Sequence, residues 1–225
     1  LLDWLAANFI EKGWKIKELH RLILHSSTWL QDSSWDRKSS EIDSESRLLW
    51  RFPPRRLEAE SIRDTMLSLS GKLNPQMGGP SYKPFSISNF GSSFYKIKDQ
   101  EGPQFDRRSI YRMNVNSGKD PLLDVFDCPD PSVKAPRRSS TTTPLQALSL
   151  MNNSLVQRLS KSFSARLEQE AQKDGGNSIE LAWLYAFARK PTGAEQKRCE
   201  TLARDHGLDT VCWAIFNASE FLYVR

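Results

Sequence analysis

Two arginines stand directly before a run of hydroxyl side chains in the stretch RRSSTTTPLQALSLMNN, residues 137–153. Guanidinium groups, hydroxyl donors and the free amides of a helix start together suit a phosphate, a sulfate or a carboxylate. The sequence therefore predicts an anion- or partner-binding site. Its residues are Arg137, Arg138, Thr141, Thr142 and Thr143.

The same stretch also has a structural explanation that needs no ligand. Thr143, Pro144 and Gln146 have the spacing of a capping box, with proline at the first helical position. The two arginines would then form ion pairs with acids such as Asp127 and Asp130, and these pairs would hold the loop in place. We favour this interpretation, because helix starts are common and bound anions are not.

Three aspartates lie just before the arginines, at intervals of three residues, in the segment DVFDCPDPS. Asp124, Asp127 and Asp130 could gather a calcium ion, which takes about six to eight oxygen ligands. The spacing matches no calcium loop, however, and the prolines stiffen the segment, so aspartates that cap turns are the favoured interpretation. The three carboxylates remain the candidate acidic partners of the arginines.

No other set of residues has the spacing of a catalytic or metal centre. The sequence contains no G-x-S-x-G, H-E-x-x-H or C-x-x-C motif. His20 and His25 diverge on a predicted helix. The cysteines are far apart, which favours unpaired thiols, and they are Cys128, Cys199 and Cys212. We therefore assign no catalytic residues, no metal ligands and no cofactor to this chain.

The composition is typical of a globular protein with a mild excess of positive charge. The chain has 225 residues, of which 38% are apolar and 26% charged, and 32 basic against 27 acidic residues give a formal net charge of +5. Because the two signs are interspersed, nucleic-acid binding is only a third hypothesis. No apolar run approaches the ~20 residues of a membrane helix, so no membrane segment is expected.

Hydrophobic periodicity predicts a mainly α-helical fold. Apolar residues recur every three or four positions in the first and last thirds of the chain, whereas glycine and proline are frequent between them. We expect one helical domain over residues 1–225, cut from a longer protein, with a loop-rich middle that holds at most a short β-hairpin. Its parts are N-terminal helices over 1–71, a loop-rich excursion over 72–136 and C-terminal helices over 137–225.

Local patterns refine this outline. Residues 31–44 are polar and predict an exposed loop, and the block 46–71 predicts a helix that a Pro-Pro pair interrupts. The alternation in RRSIYRMNVN, residues 107–116, predicts one short strand. Gly71 is predicted to end the N-terminal helices.

Two groups of apolar residues are predicted to face the core. The first is a stripe with steps of three or four, and its members are Leu145, Leu148, Met151, Leu155, Leu159, Phe163 and Leu167. The segment 152–154 is the expected break in this stripe. The second group consists of the tryptophans Trp4, Trp183 and Trp213, which lie within helical patterns.

Several long blocks resemble those of one known family. In chain order they are LLDWLAANFIEKGWKIKELHRLILHSSTW, RLLWRFPPRRLEAESIRDTMLSLSGKLNPQMGGPS, RRSIYRMNVN, PLLDVFDCPDPS, RRSSTTTPLQALSLMNN and CWAIFNASEFLYVR. On these blocks the chain is identified as a member of the PSD-one family, also called domain of unknown function 1553, found mainly in planctomycetes and related bacteria. The resemblance spans essentially the whole chain, and the family's domain normally begins before the point where this sequence starts.

The resemblance implies a setting for the chain. The family's domain usually closes a large extracytoplasmic protein, behind a cytochrome-c-like domain and a second domain of unknown function. This implies a periplasmic or cell-surface location, the other domains of the same polypeptide as partners, and haem only in a separate upstream domain. Many relatives carry a cysteine before the double arginine, where this chain has VKAPRR, so a redox or metal role of the loop is in doubt.

These observations favour an auxiliary module of an exported multidomain protein, which binds a partner, a glycan or another anionic ligand. The first alternative is an enzyme, or enzyme subunit, that acts on a polysaccharide or a sulfated glycan. In that case Asp124, Asp127 or Asp130 would act together with the arginines.

Overall fold

The computed structural model describes residues 1–89, 93–115 and 118–224. These residues divide into two compact units, and the boundary between the units lies at residues 55 and 56. Helices dominate both units, and strands are few and short. The predicted mainly α-helical fold, with a loop-rich middle and a short hairpin, is therefore confirmed.

The first unit contains three helices, which are α1 (Leu2–Glu11), α2 (Ile16–Leu24) and α3 (Arg37–Ile42). Helix α3 lies inside the segment 31–44, so the prediction of a plain loop there was wrong. It forms because the Asp36 carboxylate accepts a hydrogen bond from the Ser39 amide at 2.7 Å and so caps the helix start. Residues 46–54, by contrast, form no helix in front of the prolines.

The first unit has hardly any buried side chains. Ser46 is the one residue of 1–55 that is fully buried. Trp4 is 56% exposed, so its predicted core position was wrong. The other two tryptophans belong to the second unit, where Trp183 is buried and Trp213 is half-buried, as predicted.

The second unit carries most of the helices and the hydrophobic core. Its helices are α4 (Ala59–Leu69), α5 (Pro121–Val125), α6 (Pro144–Asn152), α7 (Ser154–Asp174), α8 (Ser178–Phe187), α9 (Gly193–His206), α10 (Leu208–Phe216) and α11 (Ser219–Leu222). None of the described helices is long and apolar enough to span a membrane.

The ends of these helices follow from local sequence. The capping box of α6 is formed by Thr143 and Gln146, as predicted, and Thr192 and Glu195 form a second box at the start of α9. Asn153 separates α6 from α7, within the predicted break, and caps α7 through its side chain. Gly71 follows α4 with φ +69°, a conformation that glycine adopts without a steric penalty.

The core of the second unit surrounds the long helix α7. Its buried residues include Leu159, Phe163 and Leu167, and the Phe163 ring stacks on Phe216 of α10 with the ring centroids 5.8 Å apart. The part of the predicted stripe that lies on α7 therefore faces the core.

The part of the stripe on α6 does not face the core. Leu145, Leu148 and Met151 are 44–59% exposed, whereas Gln146 and Leu150 are buried. The Gln146 amide donates to the Val125 carbonyl at 3.1 Å, and this contact turns the other face of the helix inward. The predicted orientation of α6 was therefore wrong.

The loop-rich middle contains the hairpin of strands β2 (Phe85–Asn89) and β3 (Ser93–Ile97), in antiparallel register with Phe85 opposite Ile97. The two-residue strands β1 (Arg55–Arg56) and β4 (Tyr223–Val224) form a second small sheet.

The predicted strand at 107–116 is instead a single 3₁₀ turn, Ser109–Tyr111, for the residues described there. The Ser109 amide donates to the Asp64 carboxylate at 2.9 Å rather than to a neighbouring strand. The side chain of Arg107 is equally engaged, since it donates to the Pro80 carbonyl at 2.9 Å. The Asp64 carboxylate thus occupies a backbone donor that a ladder would use, and isolated bridges at Arg107 and Arg112 are what is present in place of a continuous strand. Asn116, the last residue of this prediction, lies outside the described residues.

Candidate functional site

Arg138 lies in a two-pronged ion pair. Its Nη1 is 2.7 Å from Glu60 Oε2, its Nη2 is 3.0 Å from Glu60 Oε1, and Glu58 lies 3.3 Å away. The acids that hold Arg138 are therefore on and beside α4, and they are not the aspartates that the sequence suggested. Arg137 is exposed and forms no ion pair with a described residue.

Glu60 also contacts a thiol. The Cys128 Sγ donates to Glu60 Oε1 at 3.7 Å. Burial, together with the nearby Glu60 charge, raises the pKa of Cys128 to about 11. Since the thiolate is the nucleophilic form of cysteine, this side chain is held in its unreactive state at neutral pH.

The Asp127 carboxylate occupies the position that an external anion would take in the hydroxyl-rich loop. It accepts hydrogen bonds from the Thr141 amide at 2.8 Å and from the Thr141 hydroxyl at 2.9 Å. Its second partner is the guanidinium of Arg56, a side chain that is only 5% exposed. The loop donors thus bind a carboxylate that belongs to the protein.

The other threonines of the loop also have partners. The Thr142 hydroxyl lies 3.0 Å from the Tyr223 hydroxyl, and Thr143 caps α6. The Gln146 amide donates to the Thr141 hydroxyl oxygen at 3.1 Å. These contacts fit the structural interpretation of the loop, whereas the ligand that was predicted for it stays a prediction.

The remaining aspartates, Asp124 and Asp130, form ion pairs with the Lys119 ammonium group. The Lys119 Nζ lies 3.2 Å from Asp124 and 3.6 Å from Asp130. Hydrogen bonds from Ser132 lower the pKa of Asp130, so this carboxyl is ionised opposite the lysine at neutral pH. Within the described residues, no group of three or more His, Cys, Asp or Glu side chains is placed to hold a metal ion.

A cavity of about 270 Å³ lies elsewhere in the second unit, and the sequence analysis did not predict it. Its wall combines the start of α7, the chain on both sides of the hairpin, the loop before the 3₁₀ turn and the start of α5. No short motif marks this cavity, because its wall is assembled from segments that are far apart in sequence.

Charged side chains face one another across the wall of the cavity. Arg158 of α7 lies 3.2 Å from Asp99, 3.4 Å from Glu101 and 3.8 Å from Asp106. Asp99 also accepts a hydrogen bond from the Ser154 hydroxyl at 2.7 Å, at the positive end of the α7 dipole. Burial raises the pKa of Asp106.

Arg112 also lines the cavity. Its Nη1 donates to Asn114 Oδ1 at 2.8 Å, whereas its Nη2 is 3.4 Å from Asp120 Oδ2 and makes no hydrogen bond. The Asp120 carboxylate is itself engaged by the first amides of α5, at 2.9 and 3.1 Å. One guanidinium nitrogen of Arg112 is therefore left without a hydrogen-bond acceptor among the described residues.

Several buried polar atoms of the residues that line the cavity have no hydrogen-bond partner. Nine buried side-chain nitrogen and oxygen atoms of the described residues make no hydrogen bond, and four of them belong to residues of the cavity wall. The four atoms are Tyr82 Oη, Gln100 Oε1, Arg112 Nη2 and Arg158 Nε. A buried polar atom without a partner costs about 1–3 kcal/mol, so such a concentration in one place calls for an explanation.

Comparison with known proteins gives one match. The model of the PSD1 family, described as a protein of unknown function (DUF1553), matches residues 1–203. No curated protein matches the chain, and no solved structure does.

Proposed function

The chain belongs to the PSD1 family of proteins of unknown function, and we propose that it is a ligand-binding module without a catalytic site of its own. The binding site is the cavity beside the start of α7. One observation supports this proposal. Nine buried polar side-chain atoms of the described residues have no hydrogen-bond partner, and four of them belong to residues of this wall.

Unpartnered polar atoms raise the free energy of the folded chain, and a ligand that bonds to them lowers it. Folded proteins satisfy most buried polar groups, because an unmade hydrogen bond is expensive. A set of unpartnered groups around one cavity is stabilised when a ligand, or water, supplies the missing donors and acceptors. Ligand sites are concave and bind through convergent polar groups beside apolar surface; this cavity has both, although polar and charged side chains make up most of its wall.

In the alternative sites, most polar groups already have partners within the protein. The threonine donors of the loop at 137–143 are engaged by Asp127, Tyr223 and the α6 cap. Asp124 and Asp130 hold Lys119, and the Cys128 thiol is protonated at neutral pH. None of these groups is poised as a nucleophile or a general base, so the geometry supports binding better than glycan hydrolysis.

We further infer the cellular setting from the family resemblance. The chain would be an extracytoplasmic part of an exported multidomain protein of planctomycete type, with the other domains of that polypeptide as its partners and any haem in a separate upstream domain. Protease treatment of cells of the native host, with and without permeabilisation of the outer membrane, tests this. The full-length protein should be cleaved in intact cells or once the outer membrane alone is opened, and protection until the cytoplasmic membrane is lysed would contradict the inference.

Binding in the cavity is tested with a variant that fills it. Gln100 lines the cavity and is half-buried, so Gln100→Trp should narrow the space. Gln172→Trp on the exposed surface of α7 is the matched control. We expect small polar ligands that raise the melting temperature of the wild-type chain to lose this effect in Gln100→Trp and to keep it in Gln172→Trp. If Gln100→Trp keeps the full effect, the ligands bind elsewhere and the proposal fails.

A further inference from the structure

We propose that the ligand of the cavity is a small organic acid, whose carboxylate accepts hydrogen bonds from the Tyr82 hydroxyl and from Arg112 Nη2. This inference rests on the proposed function, since it names the chemistry of the ligand at the same site. The covered position of the two donors implies that the side chains around them shift slightly when the ligand enters.

The unpartnered atoms themselves favour an acceptor-rich ligand. Arg112 Nη2 and Arg158 Nε can only donate, and each has a carboxylate 3.4 Å away without a hydrogen bond, Asp120 and Glu101 respectively. The Tyr82 hydroxyl can donate, whereas Gln100 Oε1 is the one pure acceptor among the four. Two of the donors belong to guanidinium groups, and hydrogen bonds between charged groups are about twice as strong as neutral ones. A carboxylate offers two oxygen acceptors and a negative charge, which fits this set.

The environment of Tyr82 keeps its phenol protonated and able to donate a hydrogen bond. Its side chain is almost fully buried, at 8% exposure, and its ring packs edge-on against Phe105 with the centroids 6.3 Å apart. Burial raises the pKa of the Tyr82 phenol, so the group keeps its proton at neutral pH. A neutral phenol that has no acceptor among the described residues can therefore donate to a ligand oxygen once the side chains that cover it have shifted.

The charges of the wall are compatible with an anion. Arg63, Lys98, Arg112 and Arg158 line the cavity together with the acids Asp99, Asp106 and Asp120, and Glu101 lies 3.4 Å from Arg158, so the positive and negative charges are equal in number when all are ionised. Asp99 is paired with the Arg158 guanidinium and accepts a hydrogen bond from Ser154, and Asp120 accepts hydrogen bonds from the first amides of α5. Burial raises the pKa of Asp106, and Arg158 lies 3.8 Å from its carboxylate.

The volume of the cavity and its apolar side chains indicate the size and type of the part of the ligand that carries the carboxylate. Pro84, Ile97, Phe105 and Leu155 contribute apolar surface. An engineered cavity of about 150 Å³ holds a benzene molecule, so about 270 Å³ holds one ring with its substituents. The ligand class is therefore a carboxylate on a single ring or on a compact hydroxylated chain.

Two matched pairs of probes test the role of the carboxylate. Benzoate and benzamide share an aromatic ring, and glucuronate and glucose share a hydroxylated ring, so each pair differs in the acid group alone. Isothermal titration calorimetry on the wild-type chain should give at least about tenfold tighter binding for the acid in whichever pair fits the cavity. The pair that binds identifies the body of the ligand.

The variant Tyr82→Phe separates binding from folding. Because the hydroxyl has no partner among the described residues, its removal should leave the melting temperature unchanged or raise it, while the affinity for the acid falls about tenfold. Tyr223→Phe is the control, since that hydroxyl contacts Thr142 outside the cavity. It should lower the melting temperature slightly and leave the affinity unchanged.

Each other outcome overturns a distinct statement. Equal affinity for the acid and its neutral partner, with binding still blocked by Gln100→Trp, would reject the carboxylate and keep the proposed binding function. Unchanged acid affinity in Tyr82→Phe would reject the role of this residue. No binding of any probe or library compound would mean that the cavity holds water only, and it would overturn the proposed function as well. If Tyr82→Phe does not fold, Arg112→Lys keeps the charge and removes the guanidinium fork, and the same loss of affinity is expected.

Discussion

The Asp127 carboxylate is bound by Thr141 through both the backbone amide, at 2.8 Å, and the hydroxyl, at 2.9 Å. The same carboxylate neutralises the buried Arg56, so one aspartate ties the threonine loop to the core of the second unit. Asp127 adopts the left-handed backbone conformation, with φ +64°, which is uncommon for a residue other than glycine. The arrangement explains the threonine run by contacts inside the protein.

Asp127→Asn should therefore destabilise the chain strongly. The substitution leaves the Arg56 guanidinium buried without a counter-charge, and breaking a buried pair in this way costs about 3 kcal/mol or more. Urea denaturation should show this loss of unfolding free energy. Thr141→Val should cost about 1 kcal/mol, because the amide contact survives. Ser140→Ala, at the exposed neighbouring hydroxyl, should be neutral, and an equally neutral Asp127→Asn would contradict the account.

The two arginines of the loop should differ in their effect on stability. Arg138→Ala removes the pair with Glu60, but Arg138 is 41% exposed there, so the expected cost is at most about 1 kcal/mol. Arg137→Ala should be neutral, since Arg137 pairs with no described residue. Thermal unfolding of the two single variants measures the difference. Loss of sulfate binding in the double variant without loss of stability would instead favour the predicted anion site in the loop.

The acid limb of the stability curve should depend on Glu195. Hydrogen bonds from Arg189 and from the Thr192 amide lower the pKa of Glu195 to about 2. Because the folded pKa lies below the unfolded value of about 4.3, the stabilisation is fully present above that value and is lost as the pH falls towards 2. Glu195→Gln should thus lower the unfolding free energy at pH 7, and the gap to the wild type should close between about pH 5 and pH 2.

A carboxylate on the same helix provides the control. Glu200 lies on α9, forms no ion pair with a described residue and accepts a hydrogen bond from Gln196 at 2.7 Å, so Glu200→Gln should give only a small difference from the wild type at pH 7. A gap for Glu195→Gln that stays constant from pH 7 to pH 2 would show that the carboxylate charge does not carry the stabilisation.

The cysteines should alkylate slowly in the folded chain. Burial raises the pKa of Cys128 to about 11 and also raises the pKa values of Cys199 and the fully buried Cys212. Iodoacetamide at pH 7.5 should therefore modify the thiols much faster in urea than in buffer, as mass spectrometry would show. Rapid modification of Cys128 in the folded chain would indicate an activated thiol and would contradict the assignment of no nucleophile.

The sequence predicted the features that depend on neighbouring residues. The capping box at Thr143 and the break at Asn153 are local patterns, and both are present. The orientation of α6 could not be predicted in the same way, because a polar residue, Gln146, faces inward to bond the Val125 carbonyl. Hydrophobic periodicity assumes that the apolar face is the buried one, and a distant carbonyl reversed that choice here.

The candidate cavity could not be predicted from the sequence, and the reason is again a set of contacts between distant residues. Tyr82, Arg112 and Arg158 come from three separate segments, and although Arg112 lies in the block RRSIYRMNVN, no pattern there marks it as a ligand-binding residue. The signal that identifies them is an unsatisfied hydrogen bond, which exists only after the chain has folded. The sequence pattern predicted a ligand site in the loop at 137–143. In the structure Arg138, Thr141 and Thr142 of this loop are bound by residues that are distant in sequence.

The most direct test of the binding cavity is a high-resolution crystal structure of the chain grown with benzoate or with glucuronate. We expect one of these acids to occupy the cavity, with a carboxylate oxygen within hydrogen-bonding distance of the Tyr82 hydroxyl and of Arg112. A cavity that contains ordered water alone at saturating concentrations of both acids would contradict the account.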